Sequence, residues 1–305
     1  MGPYPKNVNE FEERFGTEAA CRQYLFELRW PDGFRCPQCS HDVAWEATRG
    51  RYVCQRCRHQ TSLTAGTIFQ DTRKPLKQWF RAMWHVTNQK QGVSALGLQR
   101  ALGLGSYHTA WTWMHKLRRA MVRPNRDRLQ GHVEVDETYI GGVKPGKTGR
   151  GAAGKVLVLV ATERTAEGHL GRIRLKPIRN AAMTTLNEAV PACVQQGATI
   201  LTDSWNGYNA MEQIGFRHHV IRATEETGDN LLPGPHRVAS LLKRWLLGTH
   251  QGAVRQSHLD YYLDEFTFRF NRRTSRSRGM LFYRLTQQAV AIDPLPRKRI
   301  GRSNG

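Results

Sequence analysis

Two Cys-x-x-Cys pairs, separated by fourteen residues, restrict how the first part of this chain can fold. The pairs are Cys36/Cys39 and Cys54/Cys57, and each places two thiolates on one side of a tight turn. Two such turns close a tetrahedral zinc shell, and a closed shell leaves no open position for chemistry. The alternating residues between the pairs favour a short hairpin. The spacing therefore predicts a structural Zn²⁺ in a zinc ribbon, against the alternative of buried unpaired thiols.

A zinc ribbon does not specify a partner, but the charge of the chain narrows the choice. The 305 residues include 46 Lys and Arg against 25 Asp and Glu, which gives a formal net charge of +21. A charge of this size favours a polyanion as partner, although a basic solvated surface is the alternative. No run reaches the roughly 18–20 apolar residues of a membrane helix. We therefore expect a cytoplasmic protein without a membrane partner.

Residues 76–130 have the pattern of a basic, helical DNA-binding segment. The stretch GVSALGLQRALGLGSYHTAWTWMHKLRRAM gives a helix, a short glycine-containing turn and a second helix. In helix-turn-helix units the second helix enters the major groove. We expect Lys116, Arg118 and Arg119 to contact DNA, although any helical hairpin gives the same pattern.

The order of elements after residue 130 predicts a mixed sheet flanked by helices. Three hairpin-linked strands come first, from VEVDETYI to HLGRIRLKPI, followed by helix 181–196, the strand ATILTD, helix 205–214, the strand FRHHVI and a helix from His236 to Leu247. This order is typical of a ribonuclease-H-like fold. The chain as a whole is predicted to be multidomain α+β. Its parts are a zinc-ribbon region at 1–75, a helix-turn-helix segment at 76–130, a ribonuclease-H-like mixed α/β domain at 131–290 and a basic disordered tail at 291–305.

Two aspartates at strand ends of this sheet suggest chemistry. Asp136 lies on the first strand and Asp203 ends the fourth, so the two carboxylates are expected side by side. Two divalent ions, Mg²⁺ or Mn²⁺, held about 4 Å apart can then activate a hydroxyl and stabilise a leaving oxygen. The structural alternatives are a strand-end carboxylate for Asp136 and a helix N-cap for Asp203.

Several linked motifs resemble one known family. VEVDETYIGG, TDSWNGY, HRVASLLKRWLLGTH and YLDEFTFRFNRR stand in the order found in the ISXO2-like group of bacterial insertion-sequence transposases. The resemblance covers roughly residues 15–290. It implies an N-terminal zinc ribbon, a DDE-type domain, cleavage of double-stranded DNA at element ends, strand transfer into a target and a homo-oligomer on DNA. Its first two acidic positions fall on Asp136 and Asp203.

The third position departs from the common family pattern. Family members place Glu or Asn, sometimes His, seven residues before a Lys, and here His236 precedes Lys243 by seven. Seven residues are about two helical turns, so both side chains share a face and Lys243 could hold a phosphate. Imidazole suits Mn²⁺ better than Mg²⁺. The alternatives for His236 are a helix-start residue that bonds local backbone, or a third carboxylate from Glu134, Glu225, Glu226 or Asp229.

Further basic residues are expected to contact DNA phosphates: Lys144, Lys147, Arg150, Arg237 and Arg244. The leading hypothesis is a transposase. One alternative is a DNA-binding regulator with an inactive ribonuclease-H-like domain, and another is a structure-specific nuclease without strand transfer.

Overall fold

The computed structural model describes residues 4–123, 125–141, 155–222, 231–252 and 254–300. These residues form two compact units, of which unit 1 contains the described residues up to 123 and from 275 to 300, and unit 2 those from 125 to 274. Within these ranges no helix has both the length and the apolar content that crossing a bilayer requires.

Unit 1 contains seven helices and one small sheet in its described part. The helices are α1 (Val8–Arg14), α2 (Glu18–Arg29), α3 (Leu76–Asn88), α4 (Ala95–Leu102), α5 (Tyr107–Ala120), α9 (Arg278–Ala291) and α10 (Arg297–Ile300). The strands β1 (Ala44–Ala47), β2 (Arg51–Cys54) and β3 (Gln60–Ser62) form an antiparallel sheet in that order. The predicted hairpin between the cysteine pairs is thus β1–β2, with Trp45 opposite Val53.

Two separate side-chain caps divide the first helical stretch into α1 and α2. Asn7 accepts a hydrogen bond from the backbone of Glu10 at the start of α1, and Thr17 accepts one from Ala20 at the start of α2. Side-chain oxygens at these positions satisfy backbone N–H groups that a helix leaves unpaired, so each begins a new helix.

The last described helices complete the core of unit 1. Phe282 of α9 lies 5.5 Å from the ring of Phe11 and 5.7 Å from that of Phe80. Ile300 of α10 is 1% exposed, so the predicted disordered tail includes a short helix that ends in a buried residue, whereas residues 301–305 lie outside the described residues. The predicted boundary at residue 290 also differs from the division of the structure, in which residues from 275 onward pack with unit 1.

Unit 2 is built on a five-stranded mixed sheet in the order β6-β5-β4-β7-β8. Its strands are β4 (His132–Ile140), β5 (Val156–Arg164), β6 (Leu170–Ile178), β7 (Thr199–Thr202) and β8 (Arg217–Val220). β4, β5 and β6 pair antiparallel, whereas β7 is parallel to both β4 and β8. Three meandering strands followed by two parallel ones form the ribonuclease-H-like sheet that the sequence predicts.

Helices cover both faces of this sheet. They are α6 (Met183–Cys193), α7 (Pro233–His250) and α8 (Leu259–Phe270). Successive strand residues point to opposite faces. Val135 of β4 therefore joins the α6 cluster, whereas Val160, which pairs with Asp136, joins the cluster of α7 and α8. The predicted helix 205–214 is instead one 3-10 turn at Asn206–Tyr208.

Candidate functional site

The four predicted zinc ligands come together in unit 1. Cys36 and Cys57 have their sulfurs 3.6 Å apart, as do Cys39 and Cys54, and all four sulfurs lie within 4.8 Å of one another. Zn–S bonds of about 2.3 Å in a tetrahedron place the sulfurs about 3.8 Å apart. The cluster therefore fits one Zn²⁺ with four thiolate ligands.

The backbone makes the same turn at both cysteine pairs. Ser40 N–H donates to Cys36 O at 2.9 Å, and Arg58 N–H donates to Cys54 O at 3.0 Å. Both donors have a positive φ, 59° at Ser40 and 60° at Arg58. Burial opposes ionisation of Cys36, but the N–H groups of Cys39 and Gln38 and neighbouring thiols lower its pKa to about 7. These amides favour the thiolate form that a metal binds.

In unit 2 the strand register brings the two predicted aspartates together. β4 and β7 are parallel, with His132 opposite Thr199 and Glu134 opposite Leu201. Continuing this register by two residues places Asp136 of β4 opposite Asp203, the residue that follows β7. Because parallel partners point to the same face, both carboxylates belong to the face that α7 covers.

The surroundings of Asp136 disfavour its charged form. Burial is the main cause that raises the pKa of this carboxyl, and the negative charge of Asp203 raises it further. The backbone N–H of Glu137, which donates to Asp136 Oδ1 at 2.8 Å, and the neighbouring His236 act in the opposite direction. Two carboxylates that raise each other's energy are a donor set that a divalent cation would stabilise.

His236 approaches the pair from the first turns of α7. Its Nε2 atom lies 3.3 Å from Asp136 Oδ2, and its side chain is 48% exposed. A pocket of about 490 Å³ is lined by Asp136, His236 and Lys243, together with Ser240 of the same helix. The spacing of seven residues thus places the imidazole and the ammonium group on one open pocket, as the helical period requires.

The carboxylate oxygens of Asp136 and Asp203 fit divalent cations, each of which two residues would bind. Carboxylate oxygens suit Mg²⁺ and Mn²⁺, whereas imidazole favours Mn²⁺. Within the described ranges, the cysteine cluster is the only set of three or more His, Cys, Asp or Glu with all ligand atoms within 4.8 Å. Asp136, Asp203 and His236 therefore do not all have their ligand atoms within that distance of one another.

The TDSWNGY motif holds Asp203 in place through contacts that the sequence did not reveal. Asp203 Oδ1 accepts a hydrogen bond from Trp205 N–H at 3.1 Å, and the Trp205 indole donates to Ala181 O at 2.7 Å. A Cβ atom at Gly207 would lie 2.5 Å from Ala181 O, so only glycine permits this approach. Tyr208, which is buried, donates to Glu137 Oε2 at 2.9 Å and ties the motif to β4.

The two described glutamates of β4 differ, because Glu137 lines the pocket whereas Glu134 is engaged elsewhere. Glu134 is 1% exposed, accepts from Gly234 N–H at 2.8 Å and pairs with Arg164. Glu137 accepts a hydrogen bond from Tyr208 through Oε2, so this carboxylate has a partner beside the pocket that it lines. The other acids considered, Glu225, Glu226 and Asp229, lie outside the described residues.

The predicted DNA contacts of α5 separate into buried and exposed side chains. Arg118, predicted to contact DNA, is instead buried at 2% exposure, whereas half-buried Lys116 donates from its Nζ to Ile68 O at 2.9 Å. Burial also lowers the pKa of Lys116. Arg119 is exposed.

Two of the predicted phosphate contacts of unit 2 lie on the exposed side of α7. Arg237 and Arg244 are both exposed there. Lys144, Lys147 and Arg150 lie outside the described residues.

A ribonuclease-H-like unit with paired aspartates on neighbouring strands, in one chain with a zinc ribbon, is the architecture of a DDE-type transposase. Two family matches agree with this class: residues 128–271 match the ISXO2-like transposase domain, and residues 16–60 match the transposase zinc-ribbon domain. The chain thus combines an ISXO2-like transposase domain with a transposase zinc-ribbon domain.

A curated relative and a solved structure were also matched. The relative is the "Uncharacterized protein in transposable element ISH50" of Halobacterium salinarum, 27% identical over 279 residues, which cover 84% of this chain and 91% of the relative. The crystal structure of a pre-cleavage Mos1 transpososome matches 75% of this chain and 83% of its own, with 14% identity and a TM-score of 0.26. A score this low supports no inference about the site.

Proposed function

We propose that this protein cleaves double-stranded DNA at the ends of an insertion sequence and joins the freed ends to a target. The observation that carries the proposal is the register of β4 and β7, which sets Asp136 opposite Asp203, with His236 Nε2 at 3.3 Å from Asp136. The two domain matches support a transposase, and the assignment of Asp136, Asp203, His236 and Lys243 as its catalytic residues is our proposal.

Each residue has a distinct task in this proposal. Asp136 and Asp203 would hold divalent cations, with His236 as a further ligand beside Asp136. Such cations, when bound, help to ionise an attacking hydroxyl and offset charge on the leaving oxygen. Lys243, on the rim of the same pocket, binds a phosphate oxygen and fixes the DNA strand. The protein forms no covalent intermediate, because its contribution is positioning and charge neutralisation.

A nicking assay tests the assignment. The substrate is a labelled duplex taken from the inverted repeats that flank the gene, and the cation is Mn²⁺. We expect Asp136→Asn and Asp203→Asn to lose nicking by about 10²-fold or more, since each removes a ligand oxygen and its charge. Glu167→Gln is the matched control, because Glu167 lies exposed in the turn between β5 and β6.

Three outcomes separate the functions. Loss of both nicking and strand transfer in the two aspartate variants supports a transposase. Nicking by the wild type without any joining of a 3′-hydroxyl to target DNA would favour a structure-specific nuclease. Equal nicking by the wild type and both aspartate variants would remove the catalytic assignment, and DNA binding without nicking in all three would leave a DNA-binding regulator. Light scattering of the protein with and without end DNA tests the homo-oligomer that we also propose.

The identity of His236 predicts the cation preference. An imidazole brings no negative charge, so we expect the wild type to work better with Mn²⁺ than with Mg²⁺. The variant His236→Glu restores a carboxylate at the position where family members often have one, and it should shift the preference towards Mg²⁺. An unchanged preference would remove His236 from the ligand set.

A further inference from the structure

The start of helix α7 lacks the usual means of satisfying its first amides. It begins with Pro233, Gly234 and Pro235, and the preceding Leu232 provides no side-chain cap. Proline has no N–H to satisfy. The His236 N–H donates to Leu232 O at 3.2 Å. Among these first positions, the Gly234 N–H therefore needs a partner from another element.

That partner is the buried carboxylate of Glu134, from a residue one hundred positions earlier in the chain. Gly234 N–H donates to Glu134 Oε2 at 2.8 Å. The Glu134 side chain is 1% exposed and forms an ion pair with Arg164 of β5. A negative charge at a helix N-terminus is favourable, because the helix dipole is positive there. Glu134 thus acts as a long-range cap for α7.

Gly234 is the residue type that allows this approach. A Cβ atom at this position would lie 2.6 Å from Glu134 Oε2 and 2.6 Å from Thr162 Oγ1, closer than real Cβ contacts. Any side chain would therefore push the first turn of α7 away from β4 and β5.

The cap lies beside the proposed metal ligands on both elements. Glu134 and Asp136 are two residues apart on one face of β4, and Gly234 and His236 are two residues apart on α7. The contact Glu134–Gly234 is therefore next to the contact Asp136–His236, whose length is 3.3 Å. Functional sites must be held within about 0.5 Å of their working geometry.

We propose that Glu134 is a positioning residue that anchors α7 and so sets His236 against Asp136. The inference rests on the proposed function, since it concerns the ligands of that same site. Glu134 itself does not contact the cations in this proposal. It acts through the Gly234 amide.

Two readouts test the proposal without measuring catalysis. Hydrogen exchange of peptides covering residues 231–240 reports the anchoring. Mn²⁺ binding to the zinc-loaded protein, followed by the electron paramagnetic resonance of free Mn²⁺, reports the ligand geometry. Glu134→Ala should speed the exchange about tenfold or more, by loss of a charge-assisted hydrogen bond. It should also weaken Mn²⁺ binding about 10- to 100-fold, as for other residues that orient metal ligands.

Further variants separate positioning from direct ligation. Glu134→Gln keeps a carbonyl oxygen for the Gly234 amide, so its Mn²⁺ binding should stay within a few fold of wild type. Gly234→Ala should resemble Glu134→Ala, although residue 234 offers no ligand atom. The matched control is Glu163→Ala, which breaks the Glu163–Arg172 pair of the same sheet, 2.6 Å long, and should leave both readouts unchanged.

The outcomes can be told apart from those of the nicking assay. Wild-type Mn²⁺ binding in Gly234→Ala, or equal losses in Glu134→Gln and Glu134→Ala, would overturn the positioning role. If Glu134→Ala does not fold, Gly234→Ala and Glu134→Gln still decide it. A wild type that binds Mn²⁺ but does not nick DNA would refute the proposed function alone.

Discussion

Replacing Asp136 by Asn should stabilise unit 2 while abolishing its activity. The Asp136 side chain is only 21% exposed, and burial together with the charge of Asp203 raises its pKa above the ordinary value of 3.8. The folded protein therefore holds this proton more tightly than the unfolded chain does. Asn removes the buried charge and retains an oxygen that can accept the hydrogen bond from Glu137 N–H.

The sign and size of the effect follow from proton linkage. Because the pKa of Asp136 is higher in the folded protein than in the unfolded chain, its ionisation lowers the free energy of unfolding once the pH exceeds the ordinary value. Below that value Asp136 is protonated in both states, so this cost is absent. One unit of pKa shift corresponds to about 1.4 kcal/mol. A gain on the order of 1 kcal/mol would raise the melting temperature of a domain of this size by about 2–4 °C.

Differential scanning calorimetry of the zinc-loaded chain, without added Mg²⁺ or Mn²⁺, measures this gain. The advantage of Asp136→Asn should grow as the pH rises from about 4 and then stay level up to about pH 8, and added Mn²⁺ should stabilise the wild type more than the variant. The control Glu167→Gln should show the opposite sign, because a hydrogen bond from Thr165 lowers the pKa of Glu167. A variant less stable than wild type throughout this range would refute the reasoning.

Three further predictions concern other parts of the chain. Chelating Zn²⁺ should unfold residues 34–70 and weaken DNA binding while the unfolding transition of unit 2 stays in place; unchanged circular dichroism and binding after complete removal would contradict this. Arg119→Ala should weaken DNA binding in gel shifts and reduce its salt dependence by about one ion. Arg118→Ala, at a 2% exposed position, should instead mainly lower the melting temperature of unit 1. Equal effects of the two variants in both assays would argue against this distinction. Gly207→Ala places a Cβ 2.5 Å from Ala181 O, so it should cost about 1–3 kcal/mol in urea unfolding, and a neutral result would show that the loop can relax.

Local patterns predicted much of this structure. The spacing of the four cysteines determines the zinc ribbon, because each ligand pair is made within a single turn. The order of strands and helices predicted the ribonuclease-H-like sheet, since short connections leave few topologies open. Asp136 and Asp203 were placed on neighbouring strands for the same reason.

Long-range contacts are what the sequence did not predict. The pattern of α5 showed basic residues at 116 and 118, but tertiary packing buries Arg118 and ties Lys116 to Ile68 O. Glu134 had the strand phase of a metal ligand, yet its carboxylate caps a helix one hundred residues away. The sequence did not predict the contact between Tyr208 and Glu137. The motif that contains Tyr208 and the strand that contains Glu137 meet only in the folded protein, so no local periodicity links them.

Iron-mediated backbone cleavage tests the central claim most directly. That claim is that three distant segments of the chain meet at the site that binds the divalent cations. Fe²⁺ in place of Mn²⁺, with ascorbate and peroxide, cuts the chain within a short distance of the bound ion. We expect cuts near residues 136, 203 and 236 that disappear together in Asp136→Asn and Asp203→Asn. Cuts at only one of these segments, or cuts that persist in both variants, would contradict the account.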